Sequence, residues 1–293
     1  MAIIKSLAVG RAKGSAQDLT YTTIGGATIM KGKVAFPKNP KTVGQMARRV
    51  RWANLVNFWQ SFNNINHPSF EDRAPRVSDF NAFIGANIAG APVYLTTSEA
   101  SQGAAVVAAY MISRGSLPAI DIAAGTGGVP VTDISLGNLT IDGDTTLKEF
   151  SEAVVENNPA YQTGDQISCY VFQQEINPVT GVPYVNVVAE EVTLNTSDED
   201  TLLADITGNG YGFRSVDAKL GMSGTVNGGV AYIHSRIDGD NSVRVSTQSV
   251  FVNNATLAQY QTPNKRVEAI LSYGGKTTVD FLRPNVGFMI ATN

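Results

Sequence analysis

The chain has 293 residues, 43% hydrophobic and 16% charged, with 28 glycines, 12 prolines and one cysteine; this excludes a disordered chain and allows one large domain or two ordinary ones. The lone Cys169 excludes an intramolecular disulfide scaffold and fits synthesis in a reducing cytoplasm. The net charge of −3 is segmented: residues 1–70 hold ten Lys or Arg against one acid, 71–210 hold four against nineteen, and 211–293 hold eight against five. A basic end facing an acidic body gives electrostatics a way to orient one copy on another, or the basic end on nucleic acid.

In chain order, the first forty residues read as a glycine-punctuated arm. In DLTYTTIGGATIMKGKV, alternation around Tyr21 and a turn near Gly25-Gly26 predict a hairpin too small to be stable alone. The apolar residues at the start are interrupted by Lys5 and Arg11, and no stretch approaches the roughly eighteen apolar residues of a membrane span, so no membrane association is expected. The strongest helix signal runs from Thr42 to Phe62. Thr42 and Gln45 fit a capping box, and Val43, Met46, Ala47, Val50, Trp52, Leu55, Val56, Trp59 and Phe62 form an apolar stripe. Arg48, Arg49 and Arg51 fall on the remaining face. FNNINHPSFEDRAPRVSDFNAFIGANIAG reads as a loop and a short helix.

From Ala91 the pattern becomes strand-like, with PVYLT, AAVVAAYMIS, VPVTDISLG and NLTIDG between turn residues. TTLKEFSEAVVENNP predicts a helix of about ten residues, with Leu147, Phe150, Val154 and Val155 at helical spacing. GDQISCYVFQQEINPVTGVPYVNVVAEEVTL predicts two strands around a turn, with one buried face from the alternation of Ile167, Cys169 and Val171. Short strands follow from Tyr211, with a helix candidate near Ala255 to Tyr260. The expected fold class is mainly β with a few helices (α+β): a β-sandwich-like body with an N-terminal hairpin arm and one amphipathic helix. The expected divisions are residues 1–90, 91–210 and 211–293, the last packing with the N-terminal part.

Three segments carry a family resemblance: GRAKGSAQDLTYTTIGGATIMKGKV, NPKTVGQMARRVRWANLVNFWQSF with Arg48 and Arg49 in place, and AYIHSRIDGDNSVRVSTQSVFV after the GDQISCYVFQQE strand. Together they resemble an uncharacterised family of Bacteroidota and of phages that infect them. The similarity covers about half of the chain, and residues 91–160 depart from it. It brings no enzyme activity; it implies a phage or prophage context and a structural role in the virion.

No constellation of residues points to catalysis. His67 and His234 have no second His, Cys or carboxylate at ligand spacing, which favours structural histidines over a metal site. The acidic clusters Asp142-Asp144 and Asp198-Glu199-Asp200 lack the spacing of a calcium loop, GNGYG at 208–212 lacks that of a phosphate loop, and Cys169 sits in mid-strand. No catalytic residue, cofactor or metal is therefore expected. The expectation is a non-enzymatic virion component, a capsid decoration, head-fibre or vertex protein, or a tail or portal-ring subunit. Its partners would be copies of itself and other virion proteins. Candidate assembly contacts are Lys5, Arg11, Lys13, Tyr21, Lys31, Lys33, Arg48, Arg49 and Arg51. The alternatives are a nucleic-acid-binding protein using the basic N-terminus, against which stand a pI near 5.5 and the placing of Trp52 and Trp59 on the apolar stripe, and a glycan-binding fibre module.

Overall fold

The structure is a computed structural model of the chain; it describes residues 2–4, 14–16, 18–24, 27–33, 41–62, 69–74, 76–208, 210–253 and 257–274. Two compact units divide it, residues 1–42 and 43–293. The expected boundaries after residues 90 and 210 are not the boundaries of these units. Helix 43–62, grouped with the arm in the sequence reading, belongs to the second unit.

The first unit is an antiparallel sheet of β1 (Ala2–Ile4), β2 (Gly14–Ala16), β3 (Leu19–Ile24) and β4 (Ala27–Gly32), in the order β1-β4-β3-β2. The β3/β4 hairpin is the expected one, in register from Leu19 opposite Gly32 to Ile24 opposite Ala27. β1 and β2 widen it to four strands. Three-residue strands carry no periodicity, so the sequence did not announce them.

In the second unit, α1 (Val43–Phe62), α2 (Asp79–Asn87) and α3 (Thr97–Ser101) precede β5 (Met111–Ser113), β6 (Ile122–Ala124) and β7 (Pro130–Ser135). Next come α4 (Leu147–Asn157), the long hairpin of β8 (Gln166–Ile176) and β9 (Pro183–Thr193), α5 (Leu203–Thr207), β10 (Arg214–Val216) and β11 (Lys219–Gly221). β12 (Gly228–Ile237), β13 (Val243–Val245), β14 (Gln248–Ser249), β15 (Phe251–Val252) and α6 (Pro263–Gly274) complete the described part. The central sheet is antiparallel, in the order β13-β12-β8-β9 with β15 also on β12, and a smaller sheet runs β10-β11-β7-β6. Strands in several antiparallel sheets, with helices against them, make this the expected mainly-β α+β fold.

The central sheet is covered on both faces. Ile167, Cys169 and Val171 join Val230 and Tyr232 of β12 in one cluster with Leu147, Phe150 and Val154 of α4 and with Ile134 and Leu220 of the small sheet. Tyr170 and Phe172 face a second cluster containing Leu55, Phe58 and Phe62 of α1 and Phe83 and Ile84 of α2. All six residues from Ile167 to Phe172 are buried. The expectation of one buried face is thereby corrected: an alternation of Ile, Cys and Val with Ser, Tyr and Phe contains no residue that demands water.

Helix α1 buries Met46, Val50, Leu55, Phe58 and Phe62, and its N-terminal half packs on Ala269 and Ile270 of α6. Trp52, expected on the buried stripe, is 42% exposed, while Asn54 is fully buried. The reason lies in residues 91–108, where PVYLT and the start of AAVVAAYMIS were expected as strands. Residues 91–108 contain α3 and a turn after it and otherwise belong to no strand, yet Ala91, Val93, Leu95 and Ala104 to Ala108 are buried. Buried backbone outside a sheet needs partners from elsewhere. Asn54 accepts from the Val106 N–H at 2.8 Å and donates to the Val106 carbonyl at 3.0 Å and the Tyr110 hydroxyl at 2.8 Å. Gln174 of β8 accepts from the Val107 N–H and donates to the Ala105 carbonyl. These amides, with Asn57 donating to the Ala104 carbonyl and the Ala105 and Tyr94 N–H groups donating to the Pro183 and Tyr260 carbonyls, take the place of strand partners.

Candidate functional site

The candidate assembly residues fall into three groups. Lys5, Arg11 and Lys13 lie outside the described residues. Tyr21 is half-buried on β3, and Lys31 and Lys33 are exposed on and just beyond β4. Arg48 and Arg49 are exposed on α1 without an ion-pair partner among the described residues, whereas Arg51 is engaged inside its own unit and donates to the Ala89 carbonyl beyond α2 at 3.0 Å.

The chemically densest place is elsewhere, at the end of the β8/β12 ladder. Register pairs Gln166 with Ser235 and Ile167 with His234, so Asp165, one residue before β8, meets the side chains of His234 and Arg236. His234 and Arg236 share a face because they are two residues apart on one strand. Asp165 Oδ2 lies 2.8 Å from His234 Nε2, and Arg236 grips both carboxylate oxygens, Nε to Oδ1 at 2.6 Å and Nη2 to Oδ2 at 2.7 Å. The same Nη2 donates to the Ala160 carbonyl, and the Tyr161 ring stacks on the imidazole with centroids 4.3 Å apart. Both Asp165 and His234 side chains are wholly buried. Burial opposes ionisation of Asp165, but hydrogen bonds from Arg236, His234 and the Gln162 N–H outweigh it and hold the carboxyl below its ordinary 3.8. With a carboxylate against Nε2, the bond requires a proton on that nitrogen, which leaves buried Nδ1 without a partner among the described residues.

His234 thus has a carboxylate partner, though none at ligand spacing in the sequence. Its partner sits 69 residues away, at a separation that no local pattern reports. His67 lies outside the described residues.

A second buried acid occupies the next row of the same face, where Glu190, Cys169 and Tyr232 stand side by side across β9, β8 and β12. Glu190 accepts the backbone N–H groups of Tyr211 and Gly212, both at 2.8 Å, and the Tyr232 hydroxyl donates to the Gly212 carbonyl at 2.6 Å. The last two amides of GNGYG, those of Tyr211 and Gly212, thus hold an acid of the same chain. Burial raises the Cys169 thiol far above its usual range, which keeps it in the unreactive protonated form.

The acidic clusters serve turns. Asp142 accepts from the Asp144 N–H and the Thr145 hydroxyl, Asp198 from the Thr201 N–H and hydroxyl, and Glu199 pairs with Lys148. Among the described residues no three His, Cys, Asp or Glu side chains gather as a metal site, and no helix is long and apolar enough to cross a membrane. No family model, curated protein or solved structure matches this chain.

Proposed function

We propose that this chain is a non-catalytic structural subunit of a bacteriophage particle, assembling with copies of itself and with neighbouring capsid or tail proteins. The observation that carries the assembly reading is the first unit: within residues 1–42 the described backbone is one four-stranded sheet, with exposed Lys31 and Lys33. A sheet of one layer is stable when a second layer covers a face, and the edge strands β1 and β2 each pair on one side only within it. A second copy, acidic over residues 71–210, complements this basic arm. The virion context is supported by the sequence resemblance, which brings no enzyme activity with it.

Deletion of residues 2–38 tests the arm. The expected product is a folded body, by circular dichroism and melting curve, that sediments as a monomer and is missing from particles. Incorporation at normal stoichiometry overturns the assembly reading. The pair Lys31→Glu and Lys33→Glu, made in the full chain, should weaken self-association in a salt-dependent way and so covers the case of a truncation that does not fold. Mass spectrometry of purified particles tests the virion context: absence of the chain from them overturns it.

A further inference from the structure

A groove opens where the covered face of the central sheet loses its cover. Along β8 the residues on that face are Ile167, Cys169 and Val171, all buried, and then Gln173 and Glu175, which are half-buried and exposed. Across the hairpin Asn186 stands opposite Gln173 and Tyr184 opposite Glu175. The segment between β11 and β12 faces this end of the strand, and the cavity enclosed is about 370 Å³, within the usual size of small-ligand sites. Its apolar floor is Val171, Met222 and Val226; its polar wall includes Gln173, Ser223, Thr225 and Asn227. Tyr211, held in place by its backbone bond to Glu190, lines it and is 39% exposed.

The lining selects a ligand class. No Lys or Arg lines the groove among the described residues, which disfavours anions, and its one carboxylate, Glu175, already has the Tyr184 hydroxyl as donor. The hydroxyls of Ser223 and Thr225 are exposed and make no hydrogen bond among the described residues, so each offers a donor and acceptors. A pyranose matches this set, because it presents hydroxyls around its edge and an apolar C–H face to an aromatic ring. We propose that the groove binds a neutral oligosaccharide, with one sugar ring on Tyr211 and its hydroxyls on Gln173, Ser223 and Thr225. This site is independent of the assembly reading.

The test is saturation-transfer NMR and calorimetry of the full chain with maltotetraose, cellotetraose, mannotetraose and tetra-N-acetylchitotetraose, and trigalacturonate as the anionic control. At least one neutral tetrasaccharide should bind saturably with Kd of about 1 mM or tighter, and Tyr211→Ala should weaken it about ten-fold while Tyr211→Phe keeps it. Gly224 lines the groove and open space surrounds the position its Cβ would take, so Gly224→Phe should block the site without moving the melting temperature. Failure of all four neutral sugars to saturate, binding of the anionic control alone, or binding that survives both Tyr211→Ala and Gly224→Phe overturns the proposal.

Discussion

The two faces of the central sheet use the same strands and opposite principles. On the face toward α1 and α2, Phe58 packs against the rings of Phe62, Phe83, Tyr110 and Phe172 with centroids 5.2 to 6.3 Å apart, and the polar groups beside them, Asn54 and Gln174, are neutral amides spent on backbone. On the face toward α4 and the small sheet, successive rows contain His234 with neighbouring Asp165, and Glu190 with Cys169 and Tyr232. Charge is tolerated there because each carboxylate is closed by donors from its own chain. That face also leads into the groove at Tyr211. Packing is specified on one side and polar geometry on the other.

The largest effect should come from breaking the aromatic side. Phe58→Ala removes the ring at the centre of the stack and should cost about 3–5 kcal/mol, read as a fall in melting temperature of about 10 °C. A loss below about 1 kcal/mol would show that the rings are not the core of that face.

The ionic side should respond less in size but with a pH signature. Asp165→Asn leaves Arg236 without its carboxylate; because Arg236 is partly exposed, the cost should fall at the low end of the range for broken buried pairs, about 3 kcal/mol at pH 7. In the wild type the lowered Asp165 value supplies stability that is fully present above the ordinary 3.8 and is lost as pH falls through the folded value. Denaturant titrations from pH 7 downward should show this acid loss in the wild type and a smaller one in the variant. Equal acid slopes would mean that other carboxyls carry it.

The smallest effect should be at Trp52, which touches Phe80 edge-on at 6.2 Å and is 42% exposed. Trp52→Ala should cost less than about 1 kcal/mol, against several for Trp59→Ala, whose ring meets Phe62, Phe80 and Phe83. A large loss at Trp52 would mean that something covers it in solution.

The sequence by itself determined the elements with strong local signatures. The β3/β4 hairpin follows from Gly25-Gly26 between alternating strands, α1 from its apolar spacing, and α4 from Leu147, Phe150, Val154 and Val155 at helical spacing; the capping box of Thr146 and Glu149 is added by the structure. The long hairpin was legible because Asn177 and Gly181 mark a turn between two β-rich runs. Tertiary structure alone decided the rest. Whether PVYLT and AAVVAA become strands depends on partners: Asn54 and Gln174, 52 and 67 residues distant, supply them to AAVVAA, and in PVYLT the Tyr94 N–H donates to the Tyr260 carbonyl. The rotation of α1 that exposes Trp52 is fixed by the same buried amide. The Asp165–His234–Arg236 centre needs strands β8 and β12 in one register, and local periodicity carries no information about which strands pair. Composition and spacing specify what each segment is able to become; long-range pairing and burial select which of those states the chain occupies.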